Sequence, residues 1–342
     1  MGLQISDIIP KKEITIGGLK GKTLAVDAFN VIYQFLSTIR QPDGTPLQDL
    51  QGRVTSHLSG LFYRNINLMQ EGIKLIYVFD GKHPELKRAT QEKRLEAKHI
   101  AQEKYDKAMG EEDLEGMGRY AKQLTHLDDT KIQESKELLE AMGICVIQAP
   151  GEGESQASYI SKQEDDVYAI ASQDYDCLLF EAPKLIQNLT LARKRKTNSG
   201  YVDISPQLIT LRDVLVELEI NQEQLICIGI LCGTDYNPGG VKGIGPKKAL
   251  KLVKENKTPE AIFEAVLTIS EGKYSLDFNW HEIFELMKNP SIDKNYKIEF
   301  GKFNFSRVKE IMLARDFSEE RIESQFNKIR ELNEQKKQRT LF

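Results

Sequence analysis

Four short apolar runs constrain this chain more than any other feature. They are "TLAV" from Thr23, the run in "IKLIYVFDG", "ICVIQ" from Ile144 and "VYAIA" from Val167. Each is rich in β-branched residues, too short for a globular helix, and bounded by turn signals. None alternates polar with apolar, so each reads as a strand buried on both faces. Longer helical stretches separate them. Together they predict an α/β fold with a mostly parallel, twisted central sheet and helices on both faces.

Each run is closed by acid. Asp27 ends the first and Asp80 the second, where Gly81 breaks the strand; Glu152 and Glu154 follow the third, and Asp174 and Asp176 the fourth. Strands of a parallel sheet leave along one edge, outside which ligands bind in open α/β sheets. The i, i+2 spacing lets both members of each pair project to one side. Pro150, Gly151 and Gly153 permit the tight turn into the following helix. Asp235 adds a further acid just past an apolar helix. Taken singly, such an acid is usually a helix cap or a solvated turn residue. Four strand exits carrying acids form a pattern that this reading does not cover.

Convergent carboxylates need an opposing charge, since two at ~4 Å repel by about 4 kcal/mol at an effective dielectric near 20. All-oxygen ligands favour hard divalent ions, Mg²⁺ or Mn²⁺. Two such ions suit displacement at a phosphodiester. Rival chemistries lack their residues. The five histidines form no zinc-binding spacing, and neither a G-x-S-x-G elbow nor a P-loop is present.

The 342 residues, 40% hydrophobic and 29% charged, are an ordinary foldable composition. No apolar run reaches membrane-spanning length. The start "MGLQIS" fits a loose myristoylation pattern, but nothing else is membrane-directed. Cys145, Cys177, Cys227 and Cys232 form no C-x-x-C pair and read as buried thiols in a reducing, intracellular compartment. A net charge of −4 means that any nucleic-acid role must rest on local basic patches.

Residues 82–129 are highly charged and helical by propensity, without a wide apolar stripe. They form either a solvated helical pair or an insertion projecting towards a ligand. Lys82, Lys87, Arg88, Lys93, Arg94 and Lys98 crowd beside the Asp80 exit, with Lys87 and Arg94 spaced to share a helix face. A helix is expected to restart at Thr130, where "TKIQ" fits a capping box, and to end at Gly143. "RKRKTNSG" reads as a basic hairpin or loop, with a nuclear signal as the rival. From Ser205 on, the chain reads as mostly helical.

"GGVKGIGPKKALKLV", residues 239–253, predicts a tight turn at Gly243 and Gly245 and a helix from about Pro246. Amides at that helix start form an anion site, to which Lys242, Lys247 and Lys248 add charge. This is the pattern of a helix-hairpin-helix, which grips a DNA phosphate without reading bases. The plainer alternative is a glycine turn between two helices.

The motifs "LAVDAFNVIYQFL", "VFDGKHPELK", "APGEGESQAS", "SQDYDCLLF" and "GTDYNPGGVKGIGPKKAL" together resemble the flap endonucleases of the structure-specific 5′-nuclease family, of archaeal type. The resemblance runs almost end to end. It implies a single nuclease domain over 1–330: an N-terminal nuclease region (1–81), a helical arch (82–129), an internal nuclease region (130–219), a helix-hairpin-helix region (220–270) and C-terminal helices (271–330). A flexible tail, 331–342, follows. It also implies that Asp27, Asp80, Glu152, Glu154, Asp174, Asp176 and Asp235 hold two Mg²⁺, with Mn²⁺ able to substitute. Lys87 and Arg94 on the arch would contact the scissile phosphate. Gly2, Tyr33 and Arg40 would join the glycine hairpin in contacting DNA.

The implied activity is cleavage of 5′ flaps on branched DNA, with accompanying 5′-3′ exonuclease activity, in Okazaki-fragment maturation and long-patch base-excision repair. A monomer in the cytoplasm or nucleoid of a cell without a nucleus is expected. The short link between the two nuclease regions favours a flap endonuclease over the related excision-repair nucleases. The tail departs from the family's sliding-clamp box. Aligning Gln335 puts polar Gln338 at the aliphatic position, and aligning Gln338 supplies Leu341 but ends at Phe342. A 5′ exonuclease with little flap preference is the alternative in the same class; a non-catalytic junction scaffold is the alternative in another. The intact set of seven acids argues against the scaffold.

Overall fold

The computed structural model describes residues 2–41, 44–82, 85–111, 113, 116, 119–121, 124–190, 194–197, 200–268 and 276–339. Among these, seven strands form one sheet. They are β1 (Lys12–Glu13), β2 (Thr23–Asp27), β3 (Lys74–Phe79), β4 (Cys145–Gln148), β5 (Val167–Ala171), β6 (Lys184–Gln187) and β9 (Gln207–Thr210), in the order β1-β9-β6-β5-β2-β3-β4. From β6 through β4 all neighbours are parallel; β9 runs antiparallel to β6, and β1 to β9. A separate antiparallel pair, β7 (Lys194–Thr197) and β8 (Gly200–Asp203), is the hairpin read from the basic run.

Successive side chains of a strand leave opposite faces of the sheet. Ala25, Ile76, Val78, Ile147 and Ile170 therefore enter one core. Leu24, Val26, Leu75, Tyr77, Phe79, Ala169 and Ala171 enter the other. Helix α5 (Gly153–Gln163) covers the first face, with the helices that follow the sheet, including α8 (Gln222–Cys232) and α9 (Pro246–Asn256). Helices α1 (Ala28–Thr38), α2 (Ser56–Gln70) and α4 (Asp129–Ala141) cover the second, joined by the C-terminal α12 (Phe305–Leu313) and α13 (Glu319–Arg339). No helix among the described residues is long and apolar enough to cross a membrane.

Several local expectations are corrected. Helix α4 begins at Asp129, not Thr130, because the Asp128 side chain accepts from the Lys131 amide and caps it. Strand β9 lies within the stretch expected to be helical from Ser205; "QLIT" finds its partners only on β6 and β1, far away in sequence. Part of the 331–342 stretch expected to be a flexible tail is helix, since α13 runs to Arg339.

Gly143 ends α4 as expected. Its amide donates to the Glu140 carbonyl and that of Ile144 to Leu139, which satisfies two otherwise orphaned carbonyls. Its φ is +75°, and a Cβ there would lie 2.7 Å from the Gly301 carbonyl oxygen. Gly143→Ala should therefore combine left-handed strain with a backbone clash and destabilise by about 2 kcal/mol or more. Urea unfolding checks this, and a stability equal to the parent protein would refute it.

Candidate active site

The parallel register brings the strand exits level: Asp27 of β2 lies opposite Val78 of β3, and Val26 opposite Ala171 of β5. The β3 and β4 exits are then tied together. The Gly81 amide donates to the Gly151 carbonyl at 2.6 Å, and the Gly153 amide to Asp80 Oδ1 at 2.7 Å. The Gln148 side-chain amide donates to the Asp80 carbonyl at 2.7 Å. Asp80 is therefore aimed by the start of α5, the helix that carries Glu154.

The other acids are held in the same manner. Asp27 accepts from the Asn30 amide and the Ser172 hydroxyl, each at 3.0 Å. Asp174 accepts from the Leu3 and Asp176 amides, each at 3.2 Å. Gly2 lies against Asp174 so closely that a Cβ would overlap the carboxylate. Among the described residues, Glu154, Asp174 and Asp176 each offer an oxygen lying within 4.8 Å of the others. Asp176 Oδ1 is buried with no hydrogen-bond partner.

Their electrostatics match this crowding. Burial first, and then the Asp80 charge, push the Asp27 carboxyl up to about 7. Burial, followed by the charge of Asp174, also pushes Glu154 and Asp176 well above the carboxylate range, and burial raises Asp174. An orphaned buried oxygen among acids that resist ionising together is the chemistry of a hard-cation site. These residues fit a divalent metal.

Glu152 and Asp235 sit differently. Lys87 forms ion pairs with Glu152 and, at 3.5 Å, with Asp235 Oδ2. Burial opposes its charge, but Glu152, Glu154 and Asp235 outweigh burial and hold the ammonium protonated. Lys87 ends a 3₁₀ turn, Glu85–Lys87, immediately before α3 (Arg88–Gly110). It therefore stands at the base of the charged helix, not along its face as the seven-residue spacing suggested. Arg94 belongs to α3, but its side chain lies outside the described residues.

The expected DNA contacts are dispersed. Tyr33 is exposed on α1. The Arg40 guanidinium is half-buried and donates to the Gly44 carbonyl and the Thr125 hydroxyl, each at 2.8 Å. In the glycine turn, Val241, Ile244 and Ala249 are buried while Lys242, Lys247 and Lys248 face solvent. Gly243 has φ +86°, Gly245 caps α9, and Pro246 occupies its first turn. The Gln335 and Gln338 side chains, Leu341 and Phe342 lie outside the described residues.

Sequence reasoning missed several polar neighbours of the acids. Besides Asn30, Ser172 and Gln148, these include Tyr236, whose hydroxyl donates to Glu152, and Thr90 of α3, whose hydroxyl donates to the Asp235 carbonyl. Tyr236 directly follows Asp235, which was a usable signal. Nothing local marks Thr90.

Comparison with known proteins places this arrangement. The XPG N-terminal domain matches residues 3–101 and the XPG I-region residues 143–235. Flap endonuclease 1 of Thermococcus onnurineus is 48% identical over 100% of this chain and 98% of its own length. That of Aeropyrum pernix is 47% identical over 96% and 94%. Among solved structures, flap endonuclease-1 from Methanococcus jannaschii superimposes with a TM-score of 0.76 at 38% identity, covering 98% of this chain and 100% of that one. The catalytic core of Rad2 in complex with DNA substrate, 22% identical with a TM-score of 0.71, shares the fold. The chain thus belongs to the flap endonuclease 1 family.

Proposed function

We propose that this chain is a metal-dependent, structure-specific 5′ flap endonuclease with 5′-3′ exonuclease activity, serving Okazaki-fragment maturation and long-patch base-excision repair. The observation that carries this reading is the convergence of Glu154, Asp174 and Asp176 beside Asp27 and Asp80 at the carboxyl edge of the sheet. We assign them two Mg²⁺ ions, for which Mn²⁺ would substitute. Bound there, the metals would supply Lewis acidity at the phosphodiester and an activated water.

The chain's own residues perform the remaining work. Glu154, Asp174 and Asp176 supply the ligand oxygens, and the fixed amides of Leu3, Asn30 and Gly153 keep their neighbours from splaying apart. Lys87 holds a positive charge at the edge of the cluster, where negative charge grows on the phosphate. Arg94 is assigned the same task. The amides at the start of α9, with Lys242, Lys247 and Lys248, would grip a duplex phosphate. Tyr33 and Gly2 face the reacting strand in this reading. Arg40, already engaged in hydrogen bonds, would act on DNA by shaping the loop after α1. The tail from Gln335 to Phe342 is assigned to a sliding clamp, and the enzyme to a monomeric state.

The deciding experiment incubates labelled flap, nick and single-stranded substrates with and without Mg²⁺. Release of the flap oligonucleotide, only with metal and only from the branched substrate, is expected. Asp176→Ala should lower the rate by more than about 100-fold and leave flap binding in Ca²⁺ intact. Near-normal turnover of this variant would remove Asp176 from the ligand set.

The metal-free cluster should also be legible in stability. A carboxyl raised on folding contributes stability that is fully present below its ordinary value, 3.8 for Asp27, and lost as the pH rises through about 7. In chelator, thermal unfolding should therefore fall to lower temperature between pH 5 and pH 8. Asp27→Asn should flatten that fall. A parallel profile for variant and parent would contradict it.

Replacing Lys242, Lys247 and Lys248 together by Ala should weaken duplex binding by one factor across unrelated sequences. The salt dependence should become shallower by up to about three counterions. A sequence-dependent loss would mean base contacts instead.

A further inference from the structure

Tyr236 is not a candidate ligand, yet it touches both members of the Lys87–Glu152 ion pair. Its side chain is only 6% exposed. Its hydroxyl donates to Glu152 Oε2, and the Lys87 ammonium lies 5.5 Å from its ring centroid while pairing with the other Glu152 oxygen. Glu152 Oε2 thus takes a hydrogen bond and Oε1 the Lys87 ion pair alone, whereas Glu154, Asp174 and Asp176 each offer an oxygen close to the others.

The turn beneath it is built to keep it still. The Tyr236 amide donates to the Thr234 hydroxyl at 3.1 Å, and that hydroxyl donates to Asn237 Oδ1 at 2.8 Å. The Asn237 side chain donates in turn to the Ile230 carbonyl of α8 at 2.7 Å. From the opposite side, Thr90 of α3 donates to the carbonyl of Asp235. Fixed polar contacts therefore reach Tyr236 from α8 and, through its neighbour, from the base of α3, and both Thr234 and Asn237 are buried.

We infer that Tyr236 is a positioning residue, which orients Glu152 through its hydroxyl and seats Lys87 on its ring, so that the ammonium is presented at the mouth of the acid cluster instead of collapsing into it. Glu152 thereby serves chiefly to place Lys87 and only secondarily to attract metal. A cation held by an aromatic face and the carboxylates of Glu152 and Asp235 keeps a fixed direction, and losing the ring or its bond to Glu152 loosens a long, flexible side chain. The inference rests on the role of Lys87 assigned above.

The test is a double-mutant cycle on the single-turnover rate with Lys87→Ala, Tyr236→Phe and Tyr236→Leu, set beside flap affinity in Ca²⁺. Tyr236→Phe, which keeps the ring and deletes a bond to a charged group, should cost roughly tenfold in rate. Tyr236→Leu should cost more, and neither should change affinity more than about twofold. Combined with Lys87→Ala, either change should add no more than about twofold, because the group it positions is gone. A second readout is free of catalysis. In metal-free protein labelled at lysine Cε, the Lys87 resonance, identified by its loss in Lys87→Ala, should show a ring-current shift that Tyr236→Phe retains and Tyr236→Leu abolishes. Rate losses that multiply, or a Lys87 resonance unmoved by Tyr236→Leu, overturn the inference. Should Tyr236→Leu fail to fold, Tyr236→Phe with its cycle decides alone. A Lys87→Ala enzyme of normal rate overturns the Lys87 assignment and this inference with it, whereas a slow Lys87→Ala beside a normal Tyr236→Phe and Tyr236→Leu overturns this inference alone.

Discussion

Mutual repulsion among buried carboxylates is the constraint on which the rest of the molecule depends. Asp27, Glu154, Asp174 and Asp176 are brought close enough that each raises another's affinity for protons. A chain free to relax would part them. It is prevented from doing so because the acids are fixed to the exits of three different strands, β2, β4 and β5, of a sheet buried on both faces, so that parting them would mean breaking the sheet. The apolar cores around Ile76 and Tyr77 thus carry the cost of the site.

Within that frame, local donors decide where each carboxylate points. Backbone amides serve Asp27, Asp80 and Asp174, and each comes from an element that itself carries another part of the site: α1, α5 and the N-terminal segment. Asp176 Oδ1 is left without a donor, which suits an oxygen reserved for a cation. Lys87 pairs directly with Glu152 and Asp235, and its charge also offsets part of the repulsion felt by Glu154 and Asp176. Three acids thus converge on one another, while Glu152 and Asp235 beside them are paired with Lys87.

This division connects the acids to the charged helix beside them. Lys87 and Thr90 both lie at the base of α3 and both engage the Asp235–Tyr236 turn. Movement of α3 would be felt at that turn, and the polar contacts of Thr234 and Asn237 would pass it to α8, the helix preceding the glycine hairpin.

The sequence by itself determined the central strands, the acids that end them, the glycine turn before α9 and the C-terminal stop of α4 at Gly143. All are local properties: apolar runs of strand length, glycine at a positive φ, proline in a first helical turn. It was silent on β6, and it read the stretch containing β9 as helix, because a four-residue strand such as Gln207–Thr210 is defined by partners and not by its own pattern. It named Lys87 and Glu152 but assigned them to phosphate and metal. Their pairing depends on how the base of α3 meets the turn after α8, elements some 145 residues apart in the Thr90–Asp235 bond. Only the tertiary structure decided which acids converge on one another and which pair with a lysine, because charges on separate elements acquire their partners when packing brings those elements together.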